Sequence, residues 1–353
     1  MRFGLTKRQL LLLAVVLALG LATAALQLGG APDLAIFLVL IGALAGLAWV
    51  VSFATEAVGQ RFGPAVTGFL QSTLGNLPEL FIVLFALSAG ELVVARFSIL
   101  GSLFANALLV LGVVIVAGAR HARDGVMRFG RRLPNDTATL LLLAVFTIVL
   151  LGASDKVGDR ASQHQVAISA VGAVVLLAVY GTFLASYLRS DQAREESTVE
   201  ARIPLAAALV LLAVSGVAAA FVSDWFVGSL DTAVHKLGIS KAFTGLVIVA
   251  IAGNAVENVV GVTLAAKGQN DLAISVVKNS VTQIAAFLYP ALVLVSLLFT
   301  THLTFVLNPV YIGALFVMAI AVWQVTGDGE AVAFEGWALV GLFVVLATLT
   351  WFE

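Results

Sequence analysis

The chain has 353 residues, of which 61% are apolar and only 11% are charged, and its mean hydropathy is +1.08. Soluble domains carry far more charge, so this composition excludes a soluble globular protein and indicates one that crosses a membrane several times. The net charge of −1 carries little information, whereas the absence of cysteine excludes disulfides, thiolate metal sites and cysteine nucleophiles.

Apolar stretches of about 20 residues, the length that spans a bilayer as a helix, recur along the whole chain. They lie at 10–28, 34–53, 63–88, 93–117, 137–153, 166–188, 203–222, 242–266, 271–298, 305–325 and 333–352. The sequence therefore predicts an all-α polytopic membrane protein with about 11 transmembrane helices. The first stretch lacks a convincing cleavage site, so it is interpreted as a span and not as a signal peptide.

One polar, helix-breaking element occurs twice inside this apolar sequence. The first copy is GNLPEL at 75–80, and the second, GNAVE at 253–257, follows at an offset of 178 residues. Each copy contains a glutamate, Glu79 or Glu257, and an ionisable side chain at membrane depth costs about 3 kcal/mol or more. Two such elements in corresponding positions are typical of a transporter that is built from repeats.

The spacing of the two copies predicts how the halves are oriented. Glu79 falls in the third predicted span and Glu257 in the eighth, and a separation of five spans inverts the second copy. We expect an N-terminal helix at 1–32, a five-helix repeat at 33–190, an acidic cytoplasmic linker at 191–202 and an inverted five-helix repeat at 203–353.

The distribution of basic residues predicts the orientation in the membrane. With a cytoplasmic N-terminus, thirteen lysines and arginines fall in loops on the cytoplasmic side and five on the other. This positive-inside bias favours a cytoplasmic N-terminus. We expect the protein in the plasma membrane of a prokaryote, with no nucleic-acid partner, and leave homo-oligomer formation open.

Two stretches carry a resemblance to a known family. Residues 68–85 (GFLQSTLGNLPELFIVLF) and 245–261 (GLVIVAIAGNAVENVVG) resemble the two signature helices of the calcium/proton exchangers, which belong to the calcium/cation antiporter superfamily. Residues 98–112 and 279–290 are similar to the fourth and ninth helices of that family, and 328–336 to the segment before its last helix. The resemblance implies a secondary antiporter that exchanges Ca²⁺ for H⁺ and is not an enzyme, with no cofactor.

Ca²⁺ is a hard cation that takes six to eight oxygen ligands. The candidate cation- and proton-binding residues are Glu79, Glu257, Asn76, Asn254, Gly75, Gly253, Ser102, Ser280 and Gln283. The glutamates would bind the metal ion and titrate, the glycines would break the helices and expose carbonyl oxygens, and the amides and hydroxyls would supply neutral oxygens. Small polar residues also join helices by hydrogen bonds, and this second interpretation stays open for the two serines, Asn106 and Gln283.

Three further residues are candidate modulators: Lys278, Asn258 and Asn106. Asn258 stands where the family commonly has a histidine. Lys278 occupies the position equivalent to Leu100 in the first copy, and two interpretations remain open for it. Its side chain reaches the cytoplasmic interface, or its ammonium approaches the glutamates and competes with the cation.

Other functions are open to the sequence. A Na⁺-coupled or monovalent cation/proton exchanger of the same superfamily is the nearest alternative, and an ion channel is another. An intramembrane aspartyl protease would use Asp328, in Gly327-Asp328-Gly329, but a second intramembrane aspartate is not evident.

Overall fold

The computed structural model of the protein describes residues 6–59, 76–188 and 203–353. Six side chains at helical positions, among them that of Glu257, are not part of this description. Gly75, the predicted linker at 191–202 and the side chain of Glu257 therefore lie outside the described residues.

The described residues are almost entirely helical. The helices are α1 (Lys7–Leu28), α2 (Asp33–Gly59), α3 (Leu77–Ser88), α4 (Leu92–Phe104), α5 (Leu111–His121), α6 (Arg132–Val157), α7 (Gln165–Leu188), α8 (Leu205–Leu237), α9 (Lys241–Phe243), α10 (Ala250–Gly253), α11 (Ala255–Ala266), α12 (Asn270–Gln283), α13 (Tyr289–Ser296), α14 (Pro309–Thr326) and α15 (Ala333–Trp351). π-Helical segments at Ala105–Val110, Thr244–Val249 and Ile284–Leu288 and a 3₁₀ helix at Arg160–His164 join some of them. Two three-residue strands, β1 (Val126–Arg128) and β2 (Glu330–Val332), pair antiparallel.

The helices confirm the predicted fold class. Within the described ranges, nine helices are long and apolar enough to cross a membrane, and a pair bent by 57° makes a tenth. The short apolar helix α3 forms the end of the predicted span at 63–88, and the first half of this span, 63–75, lies outside the described residues. Several spans extend beyond their predicted ends, most clearly α6, which continues to Val157, and α8, which continues to Leu237. The last turns of these two helices are polar, which is consistent with helices that continue past the hydrocarbon into the interface.

The two halves repeat the same local geometry. Asn76 and Asn254, which precede α3 and α11, have φ/ψ of −97°/24° and −96°/14°, and each of these helices has 12 residues. Gly90 and Gly268 then turn the chain at φ values of +78° and +75°. The next helix in each half passes into a π-helical segment, at 105–110 and 284–288. The internal repeat seen in the sequence is therefore a repeat of structure.

The repeats run in opposite directions across the membrane. Helix α3 leads to Glu91, whose carboxylate contacts Lys241, while α11 leads to Gly268, which packs against His121. Lys241 and His121 lie at opposite ends of the helix bundle, because α4 and α5 separate Glu91 from His121. Helices α3 and α11 thus point to opposite faces, as an inverted repeat requires.

We call one face the basic face, defined by residues 122–131, 267–271 and 327–332. Its loops are tied together: the Asn270 amide donates to the Arg128 carbonyl at 3.1 Å, and the Gly130 N–H donates to the Asp271 carboxylate at 2.6 Å. The Arg128 guanidinium hydrogen-bonds Asp124 and holds the pKa of that carboxyl below its usual value. We call the other end, with Glu91, Asp231 and Lys241, the Lys241 face.

Close backbone contacts hold the two halves together. Helix α2 packs against α8, and α6 against α14, while α1 lies outside the bundle against α2. A Cβ atom added to Gly112 of α5 would lie 2.5 Å from the Gly336 carbonyl oxygen of α15, and one added to Gly336 would lie 2.5 Å from the Gly112 oxygen. These helices therefore meet through glycine, as small residues allow in membranes.

We expect Gly336→Ala to destabilise the protein, because overpacking of a close contact costs about 1–3 kcal/mol. Gly341→Ala is the matched control, since it lies on the same helix and an added Cβ would have no atom within 4 Å. Thermal unfolding in detergent should give a lower melting temperature for Gly336→Ala than for the wild type and the control. Equal melting temperatures of all three would contradict the contact.

Candidate functional site

The first helix break positions a carboxylate inside the bundle. Asn76 has a non-helical backbone, and α3 begins directly after it, with Pro78 in the first turn where its missing N–H is not needed. Glu79 is the third residue of α3 and is 1% exposed. A carboxylate in the first turn of a helix is stabilised by the partial positive charge of the helix N-terminus.

The second break has the same construction. The span that begins at Lys241 bends by 57° between Gly253 and Asn258. Asn254 lies at the bend with a non-helical backbone, and Glu257 is the third residue of α11, as Glu79 is of α3. The backbone therefore presents the two glutamates at equivalent positions of oppositely directed helices.

The two breaks meet in the middle of the bundle. The Glu79 side chain lies directly on Gly253: a Cβ atom added there would lie 2.7 Å from the Glu79 carboxyl carbon and closer still to Oε1. A larger residue at 253 would fill the space that the carboxylate occupies. Gly253, the last helical residue before the break at Asn254, thus leaves room for the carboxylate of the other half.

A buried hydrogen-bond network surrounds the second break. Asn254 Nδ2 donates to Ser102 Oγ at 2.9 Å and to the Ala250 carbonyl oxygen at 2.9 Å. Asn106 Nδ2 donates to Asn254 Oδ1 at 2.9 Å and to Ser280 Oγ at 3.1 Å. The network joins α4 and the π-helical segment after it with the second break and α12, so it connects both halves at the level of Glu79.

The structure brings most of the predicted residues together. Asn254, Ser102, Ser280 and Asn106 share this network, and all four are at most 2% exposed. Gln283 is half-buried at the end of α12, and no hydrogen bond of its side chain to the network is seen among the described residues. Both serines accept hydrogen bonds from another element, which fits a role in joining helices, and their role in cation binding stays a prediction.

Asn106 is more central than its sequence pattern indicated, because its amide nitrogen bridges two elements of the second half. Its Oδ1 atom is buried and has no hydrogen-bond partner in the described part of the chain, and the same holds for Asn258 Oδ1. Asn76 Nδ2 is also buried and has no hydrogen-bond partner among the described residues. The spacing of four residues between Ser102 and Asn106 was the signal for a shared helix face.

Lys278 is buried inside the bundle, next to the residue that precedes the basic-face loop at 327–332, and its role stays a prediction. Its side chain is 1% exposed, and Nζ lies 3.4 Å from Thr326 Oγ1 at the C-terminal end of α14. The carbonyl end of a helix favours a positive charge, which explains this direction. Ser280, two residues on, projects about 200° away around the helix. The ammonium therefore points away from the Ser280 side of α12, where the network lies.

Comparison with known proteins identifies the family. The model of the sodium/calcium exchanger protein family matches residues 33–188 and 207–352, which together are most of the chain. The chain belongs to the sodium/calcium exchanger protein family.

The relatives of this family member include named transporters. It is 32% identical over 321 residues to a vacuolar calcium ion transporter of Schizosaccharomyces pombe, with 88% of this chain and 77% of the relative covered. It is 31% identical over 345 residues to a Ca²⁺/H⁺ antiporter of Aphanothece halophytica, with 91% of both chains covered.

Solved structures show the same fold. The structure of native YfkE superposes with a TM-score of 0.82 at 25% identity, covering 97% of this chain and all of the other. An H⁺/Ca²⁺ exchanger CAX superposes with a TM-score of 0.75 at 17% identity, covering 97% of this chain and 89% of that one. The second likeness concerns the fold alone, because its sequence identity is low.

Replacement of Lys278 tests its buried position. We expect Lys278→Met to unfold at the same temperature as the wild type or higher, because replacing a buried charge by an apolar residue of similar size is often neutral or stabilising. Lys236→Met, which removes an exposed lysine, is the control. A melting temperature of Lys278→Met clearly below both would show that the ammonium has strong partners, contrary to the described contacts.

Proposed function

We propose that the protein is a secondary antiporter that exchanges Ca²⁺ for H⁺ across a membrane. The observation that carries this proposal is the buried carboxylate of Glu79 against Gly253, which directly precedes the helix break of the opposite half. A carboxylate at the junction of two inverted repeats is the expected position of a transported cation. The names of the relatives, a Ca²⁺/H⁺ antiporter and a vacuolar calcium ion transporter, favour Ca²⁺ as that cation.

The proposed site uses oxygen atoms of both halves. Glu79 and Glu257 would supply two negative charges for one divalent cation, and carbonyl oxygens at Gly253 and, as the sequence predicts, at Gly75 would supply neutral ligands. Asn106 Oδ1, a buried oxygen without a hydrogen-bond partner in the described residues, is a further candidate ligand. Asn254, whose amide nitrogen and oxygen are both hydrogen-bonded, fixes the geometry of the second break.

The same carboxylates account for the coupling to protons. Without the cation, two carboxylates in a buried site repel each other and lose hydration, so binding a proton neutralises them. Cation and protons then compete for the same oxygen atoms. Exchange follows if the protein changes its open side only when this site is loaded, which is alternating access between the inverted halves.

The alternatives have less support. A Na⁺-coupled or monovalent exchanger of the same family would use the same carboxylates, and only a comparison of cations separates it from the proposed function. An aspartyl protease has no support from Asp328, because this side chain is exposed in the turn after α14 and accepts the Glu330 N–H at 3.1 Å. A channel would conduct Ca²⁺ without proton movement in the opposite direction.

The decisive experiment measures proton movement driven by cations in proteoliposomes with a pH-sensitive dye inside. We expect Ca²⁺ to drive proton flux in the wild type, and Glu79→Gln or Glu257→Gln to reduce it to the level of empty liposomes. Each variant removes one charge that balances Ca²⁺ and one group that binds a proton.

The control is Asp328→Asn, which removes an exposed carboxylate from the basic face and should leave the flux unchanged. Na⁺, K⁺ and Mn²⁺ are compared with Ca²⁺ in the same assay. Near-normal flux in either glutamate variant would refute the proposed site. Flux driven by Na⁺ or K⁺ but not by Ca²⁺ would favour the monovalent exchanger.

Gly253→Ala tests the contact between the halves. The added methyl group would displace the Glu79 carboxylate, and we expect the apparent affinity for Ca²⁺ to fall about tenfold or more. Gly228→Ala on α8 is the control, since an added Cβ there has no atom within 4 Å. Unchanged affinity in Gly253→Ala would mean that the position of Glu79 against Gly253 does not matter for cation binding.

A further inference from the structure

One lysine binds two carboxylates at the Lys241 face. Lys241 Nζ lies 2.9 and 2.8 Å from the two carboxylate oxygens of Glu91 and 2.7 Å from Asp231 Oδ1. The Lys241 and Glu91 side chains are 32% and 23% exposed, whereas that of Asp231 is 64% exposed. Partial burial protects the pair with Glu91 from solvent more than the pair with Asp231.

The two carboxylates belong to different halves of the protein. Glu91 lies in the turn between α3, which carries Glu79, and α4 of the first half. Asp231 lies on α8 and Lys241 begins α9, so both belong to the second half. The Lys241–Glu91 pair therefore joins the halves, whereas the Lys241–Asp231 pair lies within one half.

Directly below this pair, the halves are in backbone contact. A Cβ atom added to Gly245 would lie 2.9 Å from the Phe97 carbonyl carbon and from the Ser98 nitrogen. A Cβ atom added to Gly101 would overlap the backbone of Leu246. The helix α4 and the π-helical segment at 244–249 thus leave no space between them for an ion to pass from the Lys241 face to the buried network.

A second set of contacts fixes the start of α9. Ser240 Oγ accepts the Phe243 N–H at 2.8 Å and donates to the Thr350 carbonyl oxygen of α15, and Phe243 stacks edge-on against Trp351 at 4.8 Å. Lys241 consequently projects from an anchored helix end and forms its ion pair with Glu91 of the first half.

We propose that Lys241 is a positioning residue whose ion pair with Glu91 holds the Lys241 face closed and separates when that face opens. The inference rests on the proposed exchange by alternating access. The three charges have distinct parts: Glu91 and Lys241 connect the moving halves, and Asp231 orients Lys241 from its own half. Loss of the connection between halves favours the state open at the Lys241 face, because that state does not contain the pair.

The absence of cysteine from the chain makes a direct test simple. Ser98→Cys places a single thiol in α4, at a position with 0% exposure that lies beside Gly245. A polar methanethiosulfonate reagent reacts with this thiol only when the contact opens. The rate of reaction is measured in lipid nanodiscs, where both faces are accessible and neither transport nor membrane orientation enters the result.

In this background we expect Glu91→Gln and Lys241→Met to react about two- to fivefold faster, the ratio expected for loss of one partly exposed ion pair. Asp231→Asn, Lys241→Arg and the exposed control Lys236→Met should react at the rate of the parent protein. The charge-retaining Lys241→Arg variant excludes an effect of misfolding at this position.

Parent-like rates in both Glu91→Gln and Lys241→Met would overturn the proposal. Equal acceleration in Asp231→Asn and Glu91→Gln would also overturn the proposal. It would mean that the ion pairs of Lys241 stabilise this face in general and that the pair between the halves has no special role. A failure of Ca²⁺-driven proton flux in the wild type would refute the proposed function but would leave these ratios measurable, so the two results are distinguishable.

Discussion

The structure depends on one electrostatic constraint, which is the presence of a buried carboxylate, that of Glu79, inside a bundle of apolar helices. A charge at this depth is costly unless backbone dipoles, hydrogen-bond donors or a cation compensate it. Glu79 is placed in the first turn of a helix, where the N-terminal dipole favours a negative charge, and Gly253 gives it space. The helix break before Glu79 and the missing side chain at Gly253 are therefore what allow a carboxylate at this depth.

The proposed transport mechanism uses the opposite orientation of the two halves. In the proposed mechanism, α3 and α11 run to opposite faces, so each half opens a path to a different side while the two glutamates stay between them. The close contact of α4 with the π-helical segment at 244–249 closes one side. The hydrogen bonds from Asn106 to Asn254 and Ser280 cross between the halves, so they tie the second helix break to the π-helical segment of the first half.

Lys241 and Lys278 differ in whether neighbouring carboxylates balance their charge. Lys241 lies between two carboxylates at the end of the bundle. Lys278 is buried beside the C-terminal end of α14, where a neutral hydroxyl is its described partner. The ion pair of Lys241 with Glu91 joins the two halves, so it breaks when they separate. Lys278 lies within one packed interface and has no such role.

The sequence by itself determined the fold class and the position of the central residues. Apolar stretches of span length, the 178-residue offset between the GN–E motifs and the odd number of intervening spans are local patterns that hydrocarbon and chain direction impose. The tertiary structure alone decided which groups meet. The contact of Glu79 with Gly253, the hub position of Asn106, the direction of Lys278 and the pairing of Glu91 with Lys241 join residues far apart in the chain. Such contacts are decided by helix packing, which depends on the rotation and separation of each helix and is not encoded in any one segment.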